Sequence, residues 1–294
     1  MHVVVTGAGS FIGGHATAAL SRAGLRVTAS FRTESAAIGR LKSALPDVDF
    51  VRIDLACADH FQALPKSVDA IVHVAGLSAM PGIGTDDMLA CNVTGARNLI
   101  AYAANAKVPR VVVASTLSVY GDVAESLVTE TTPVRNPDAY GVSKYRAEQL
   151  FAAESDWLSC AAVRLPGVLG RGAHRAWIPT LLERGARGEK ITIYNPNSMF
   201  NNAAHVDDLN DLFLTLLRPT WSGFHAFPIG AAGQMSIKNL VEMLILLTGS
   251  RSSVGEGRAQ KLPFMVSSEY AARNFGYSPM DIETMLRVYV SESL

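Results

Sequence analysis

The chain has 294 residues, 49% of them hydrophobic, which suffices for one large α/β domain or for such a domain carrying a smaller lobe. Its 26 basic residues balance 26 acidic ones, so there is no electrostatic footprint for nucleic acid or an anionic membrane, and the expected partner is a small-molecule substrate. Cys57, Cys91 and Cys160 have neither C-x-x-C nor metal-ligand spacing, which excludes a disulfide framework and a zinc site and points to a reducing cytoplasm.

Strand 1 is expected at Val3–Val5, directly after Met1 and without a basic, apolar leader pattern ahead of it. Further short apolar runs follow at Arg26–Ser30, Asp49–Ile53, Ala70–Val74, Arg110–Ala114 and Cys160–Leu165, with helical patterns near Ile12–Ala23, Ser35–Lys42, Met88–Asn105 and Asp138–Glu154 between them. Near-continuous apolar strands alternating with helices describe a parallel sheet covered on both faces, a Rossmann-type doubly wound α/β fold. After residue 170 the rhythm loosens, with loop signals at Asn195–Asn202, Pro219–Gly223 and Gly249–Gly257. The expected division is a dinucleotide domain over residues 1–170, rejoined by about 203–230, and a smaller C-terminal substrate lobe from 171–202 and 231–294. Phe224–Ile229 is a candidate to return to the main sheet. Leu240–Leu247 contains Glu242, follows Ser236 as a cap and stops at Gly249, so it reads as a core-facing helix. No apolar run reaches the roughly 18 residues of a membrane span.

Strand 1 runs into Thr6-Gly7-Ala8-Gly9-Ser10-Phe11-Ile12-Gly13 and then a helix, the context of a dinucleotide fingerprint. Glycines let the backbone turn tightly and bring a pyrophosphate onto the N–H groups of a helix N-terminus, where the dipole is positive. Gly7, Ser10, Phe11 and Ile12 are therefore cofactor candidates. The end of strand 2 selects the cofactor, because an acid there holds the ribose hydroxyl of NAD whereas an arginine accommodates the extra phosphate of NADP. This chain offers Ser30-Phe31-Arg32-Thr33, with no acid until Glu34, so Arg32 favours NADP(H) over NAD(H).

Tyr140 and Lys144 stand four apart in a helical pattern and share one face. A neighbouring lysine cation favours phenolate and is expected to lower the tyrosine pKa, which suits it to proton transfer. Ser115-Thr116-Leu117-Ser118 follows strand 5, at the carboxyl edge of the sheet where α/β ligands bind, and puts hydroxyls within reach of the same ligand.

Together these segments resemble the extended short-chain dehydrogenase/reductase family of NAD(P)-dependent epimerases, dehydratases and ketoreductases. Asp54-Leu55, His73-Val74-Ala75-Gly76, Asn92 with Gly95 and Asn98, Ser115–Gly121, Tyr140–Lys144, Arg164–Gly170 and His205-Val206-Asp207-Asp208 carry the likeness along essentially the whole chain. The resemblance implies Thr116, Tyr140 and Lys144 as the catalytic set. It implies Asp54 and Leu55 flanking the adenine, Ala75 and Gly76 backing the cofactor, Lys144 on the nicotinamide ribose, and Asn92 and Ser115 as cofactor neighbours. Ser118, Gly167, His174, Asn201 and Arg258 are the corresponding substrate-side positions.

The chain departs from the family at three of these. The loop has Ser10 where a middle glycine is usual, and Ser10 can still offer its N–H and hydroxyl to a phosphate. Nucleotide-sugar enzymes of this type commonly carry Asn at position 167 and Arg at position 201, here Gly and Asn, while Arg258 matches their second arginine. His73, His174 and His205 lack metal spacing, and Asp207-Asp208 reads as a helix start. The leading expectation is an oxidoreductase working at a carbonyl or hydroxyl of a sugar or nucleotide-activated sugar, as a homodimer. An NAD-retaining 4-epimerase and a non-catalytic NADP-binding redox sensor are the alternatives. The epimerase would retain NAD through purification, and the sensor would not need Thr116, Tyr140 and Lys144.

Overall fold

The structure is a computed structural model that describes every residue except 79, 81, 175, 259–261 and 294. It falls into two compact units. The first comprises Met1–Asp122, Val134–Arg164 and Asn210–Phe227, and the second Val123–Pro133, Leu165–Leu209 and Pro228–Leu294.

The first unit is built on a seven-stranded sheet of β1 (His2–Thr6), β2 (Arg26–Phe31), β3 (Asp49–Arg52), β4 (Ala70–His73), β5 (Arg110–Thr116), β6 (Ser159–Leu165) and β7 (Phe224–Pro228). Their order is 7-6-5-4-1-2-3, so the chain doubles back between β1 and β4, the switch point of a doubly wound sheet. Strand β1 pairs in parallel with β2 (Val3 opposite Val27) and with β4 (Val3 opposite Ala70). Val3, Val4 and Val5 are wholly buried because both faces of the sheet are covered. Helix α1 (Phe11–Arg22) follows β1, and α2 (Ala36–Ala44) follows β2. The single helix expected over Met88–Asn105 is instead α3 (Thr85–Leu89), a π-helical turn over Ala90–Thr94, and α4 (Gly95–Asn105). Ala96, Leu99 and Ala103 of α4 pack with Ala147 and Phe151 of α5 (Ala139–Ala152) and with Val4, Ile71 and Val113 of the sheet.

In the second unit Gly167–Leu169 pairs with Ala203–His205, and Ile191–Ile193 with Val254–Glu256, both in parallel. Helices α6 (Trp177–Ala186), α7 (Val206–Leu216), α8 (Ile237–Thr248), α9 (Glu269–Phe275) and α10 (Ile282–Ser293) complete the chain. Leu181, Ile191, Leu240, Val241, Leu244, Met285 and Leu286 form this unit's core. Helix α8 starts where the Ser236 hydroxyl accepts from the Asn239 N–H and stops at Gly249, whose φ of 62° only glycine adopts at little cost. Among the described residues no helix is long and apolar enough to cross a membrane.

Candidate active site

At the carboxyl edge of β1, β2 and β4 lies a cavity of about 330 Å³ lined by Gly7, Gly9, Ser10, Arg32, Asp54, Leu55, Ala75 and Gly76, among others. The glycine loop makes it. Gly7 and Ala8 donate their N–H groups to the Ser30 carbonyl at 3.0 and 2.9 Å, which fixes the loop against β2. A Cβ on Gly13 would stand 2.1 Å from the Gly7 carbonyl oxygen, so only glycine lets α1 begin this close to the turn. Ser10 lines the cavity, yet its N–H donates to Gly7 O, and its hydroxyl donates to Gly7 O and accepts from Gly13 N. Ser10 is thus the cap of α1, at the cavity wall where a phosphate is expected. Phe11 and Ile12 begin α1, and their main-chain N–H groups belong to the helix end that suits an anion, although neither side chain appears in the cavity wall. The residues present fit a dinucleotide: a glycine-cradled helix end, apolar walls for a base, and Arg32.

Arg32 lines the cavity with Ser30, Thr33 and Ser35. Glu34, the first acid after β2, is instead paired with Lys42 at 2.6 Å, on the exposed surface. Asp54 accepts the Ala56 N–H with one carboxylate oxygen and so caps its own turn.

The second cluster sits where β5 ends. Thr116 caps a short 3₁₀ turn, Leu117–Tyr120, by accepting from Ser118 N, and its hydroxyl also lies 3.3 Å from Ser118 Oγ. Helix α5 lies directly on this turn, since a Cβ on Gly141 would fall 2.2 Å from the Ser118 carbonyl oxygen. That close approach brings Tyr140 to Thr116, and the two hydroxyls are hydrogen-bonded. Lys144, one turn further along α5, is 4% exposed, and its Nζ would be 3.6 Å from a Cβ on Gly76. The amine thus reaches the wall of the dinucleotide cavity. Burial lowers Lys144 to about 8, against an opposing pull from Glu148 and Cys91. Burial also raises the Tyr140 phenol above its usual value, by more than the Thr116 hydrogen bond lowers it. The expected lowering is corrected here, because desolvation and the nearby Asp138 carboxylate both raise the phenol.

Two expected cofactor neighbours are braces. Asn92, turned inward by the π-helical turn, accepts from Leu77 N and donates to Leu77 O and Ser143 Oγ, and Ser143 in turn donates to Tyr140 O. It ties the loop after β4 to the tyrosine's own helix. The Ser115 hydroxyl is committed to Glu148 Oε1 at 2.5 Å. Glu148 also takes both ends of Arg164, at 3.2 and 2.8 Å, while the guanidinium lies 4.8 Å from the Tyr120 ring centre. Sequence reasoning missed this buried network, although Glu148 follows Lys144 by one helical turn and that spacing signals a shared face. His73 is buried and its Nδ1 lies 2.8 Å from Thr6 Oγ1; burial, then the Lys144 charge, holds it down at about 3, so it is a neutral pin between β1 and β4.

The other substrate-side candidates lie in the second unit. Arg258 lines a pocket of about 640 Å³ with Trp177, Tyr194, Phe200, Ile237 and Leu262. Gly167 borders a smaller one of about 260 Å³. Asn201 is not available to a ligand, because its amide donates to Ala231 O and Val266 O and accepts from Val266 N. His174 is exposed and bonds the Gly172 carbonyl of its own loop. His205 is buried beside Asp207 and Glu292, the one three-residue grouping with ligand-like spacing among the described residues. Its Nδ1 accepts the Asp207 N–H at 3.3 Å, while its buried Nε2 lies 3.4 Å from Glu292 without making a hydrogen bond among the described residues.

Comparison with known proteins adds the lineage. The chain is 28% identical over 266 residues, 84% of its length and 81% of the relative's, to a dTDP-4-dehydro-6-deoxy-D-allose reductase of a Streptomyces species. It is 27% identical over 264 residues, 84% of its length and 66% of the relative's, to a 2-alkyl-3-oxoalkanoate reductase of Shewanella oneidensis. A crystal structure of a UDP-glucose-4-epimerase from Stenotrophomonas maltophila, with bound NAD and formylated UDP-arabinopyranose, shares the fold with a TM-score of 0.84 at 21% identity, covering 99% of this chain and 97% of that one. Residues 3–230 match the NAD dependent epimerase/dehydratase family. With the glycine-cradled cavity and the switch-point sheet already in place, that match settles the lineage: the chain belongs to this family of NAD(P)-dependent enzymes, the extended short-chain dehydrogenase/reductase type.

Proposed function

We propose that the chain is an NADP(H)-dependent oxidoreductase acting at a carbonyl or hydroxyl of a sugar or nucleotide-activated sugar, with Tyr140 as the general acid and base. The observation that carries this is the hydrogen-bonded Thr116–Tyr140 pair, with Lys144 Nζ beside Gly76 on the wall of a cavity that holds Arg32 and not Glu34. The dinucleotide, when bound, supplies or accepts the hydride. In the reducing direction the Thr116 hydroxyl positions the carbonyl oxygen and Tyr140 gives it a proton. The buried Lys144 cation stabilises the phenolate left behind, which then regains its proton from solvent. The walls of the 640 Å³ pocket support a ligand with a planar ring and an anionic group, since Trp177 and Phe200 lie 5.2 Å apart and Arg258 supplies a cation. The working form is a homodimer through α4 and α5. Of the two relatives described, one reductase is named for a nucleotide-linked sugar and the other for an open-chain keto acid, so both support carbonyl reduction.

Cofactor choice gives the direct test. Titration of the purified protein is expected to show tighter binding of NADPH than NADH, and Arg32→Ala to remove most of the difference. One charge-assisted contact to a phosphate is worth roughly 1.5–3 kcal/mol, about ten- to a hundredfold in affinity. Equal or tighter NADH binding by the unmodified chain would overturn the NADP reading.

A further inference from the structure

The loop after β2 reads Arg32-Thr33-Glu34-Ser35 and so places two opposed chemistries side by side. A guanidinium there suits the phosphate on the adenosine ribose of NADP(H), whereas a carboxylate suits the free ribose hydroxyls of NAD(H) and repels that phosphate. Composition does not decide between them. The direction in which Glu34 turns does.

Arg32, Thr33 and Ser35 all line the dinucleotide cavity, whereas Glu34, which stands among them in the chain, does not. The main chain on either side of it is held. Arg52, opposite Phe31 where β2 pairs with β3, donates its Nε–H to the Arg32 carbonyl at 3.1 Å. Ser35 caps α2 by accepting the Ile38 N–H. What remains to be set is the Glu34 side chain, and Lys42 sets it, because its ammonium donates to Glu34 Oε1 at 2.6 Å. Lys42 is itself placed. It lies one helical turn beyond Ile38, which is fully buried, and its Nζ stands 4.7 Å from the centre of the Phe31 ring, part of the cavity wall. Among the described residues the Arg32 guanidinium has no carboxylate partner. The cation on the wall is thus left unneutralised, and the neighbouring acid is paired elsewhere.

We infer that Lys42 is a specificity-determining residue that acts through Glu34: it keeps this carboxylate out of the dinucleotide cavity, so that Arg32 meets the 2′-phosphate of NADP(H) unopposed. The inference rests on the NADP(H) reading and names the pair that guards it. The two side chains are 39% and 60% exposed, so the pair acts with the strength of one partly screened charge. With Lys42 neutralised, Glu34 is released toward the ribose. NADPH then loses affinity by repulsion, while NADH gains an acceptor for its ribose hydroxyls. The two cofactors respond in opposite senses, which a loosening of α2 alone would not produce.

The test is fluorescence titration of NADPH and of NADH into the full chain and its variants, and it needs no substrate. Lys42→Met keeps a hydrocarbon stem over Phe31 and removes the charge. It is expected to weaken NADPH, tighten NADH and lower the NADPH-to-NADH affinity ratio roughly three- to tenfold. Lys42→Arg retains the cation and is expected to retain the ratio. In a Glu34→Gln background, Lys42→Met is expected to change the ratio by less than about twofold, because no carboxylate is left to release. Equal weakening of both cofactors in Lys42→Met, an unchanged ratio, or the same drop in the Glu34→Gln background would overturn the inference, the last because Lys42 would then act on the phosphate directly. A preference of the unmodified chain for NADH is a separate failure, that of the NADP(H) reading. Glu34→Gln then decides on the pair. A loss of NADH affinity in that variant means that the carboxylate already serves the ribose and overturns the inference, whereas unchanged NADH affinity, with a gain in Lys42→Met, supports it.

Discussion

Tyr140 and Thr116 are the residues on which the chemistry turns, and replacing them separates proton transfer from binding. Tyr140→Phe removes one oxygen, so NADPH affinity should be kept while turnover falls by about 10²–10⁴, the usual contribution of a positioned acid or base. Lys144→Ala should lower turnover and weaken cofactor binding together, because its Nζ reaches the cavity wall at Gly76. Thr116→Val should cost about 1 kcal/mol of transition-state stabilisation, roughly fivefold in rate. Near-normal turnover in Tyr140→Phe, once a substrate is in hand, would relocate the acid. Glu148 makes a different residue-scale prediction. Its carboxylate is 2% exposed and is the counter-charge of a guanidinium 7% exposed, so Glu148→Gln leaves Arg164 buried and unpaired. Chemical denaturation should show a loss of about 3–5 kcal/mol, and adding Arg164→Met should recover much of it. A loss below about 1 kcal/mol would mean that Arg164 finds another partner. The tyrosine and lysine were legible in the sequence because helical spacing states which side chains share a face. The internal partners of Ser115 and Asn92 were not legible, because spacing does not tell whether a polar group is already satisfied by a residue distant in sequence.

Among the elements, the strands of the main sheet were legible because burial on both faces leaves β-branched runs with little polar interruption. The helix over Met88–Asn105 was legible as helix but not as interrupted, since one π-helical turn changes no composition. Its consequence is that Asn92 is buried and points at Leu77 and Ser143. The pairing of β1 with β4 carries its own prediction through His73, which is neutral in the fold with a pKa near 3 against about 6.5 in an unfolded chain. From about pH 6.5 downwards the unfolded chain takes up a proton that the folded one refuses. Stability is therefore lost as pH falls, by up to about 1.4 kcal/mol per unit until the folded value is reached. His73→Asn should flatten this acid limb relative to the unmodified chain. Parallel curves for the two proteins between pH 6.5 and 4 would remove His73 from the account.

At the scale of the whole molecule, the excursion of Val123–Pro133 into the second unit carries no compositional mark. Its short strand Leu127–Val128 pairs with Met265–Val266, a partner far along the sequence that local patterning cannot name. At the same scale, the outward face of α4 presents Ala101 and Ala104, small side chains that allow a second helix to approach closely. Light scattering at micromolar concentration should give twice the chain mass, and a monomer would dispose of the dimer. The discontinuity of the first unit also governs how the chain can be made. Strand β6 ends at Leu165, but β7, which covers its far edge, ends only at Pro228. At ribosomal speeds of about 5–20 residues per second the nascent sheet therefore waits several seconds with β6 as its rim. That rim exposes the main-chain hydrogen-bonding groups of Cys160-Ala161-Ala162-Val163, whose side chains are all fully buried in the finished fold. An unpaired apolar edge is a template for pairing with another chain. Slow translation across residues 166–223 should thus be the interval in which expression is lost to aggregates, and a nascent chain stalled there the species that a chaperone must hold.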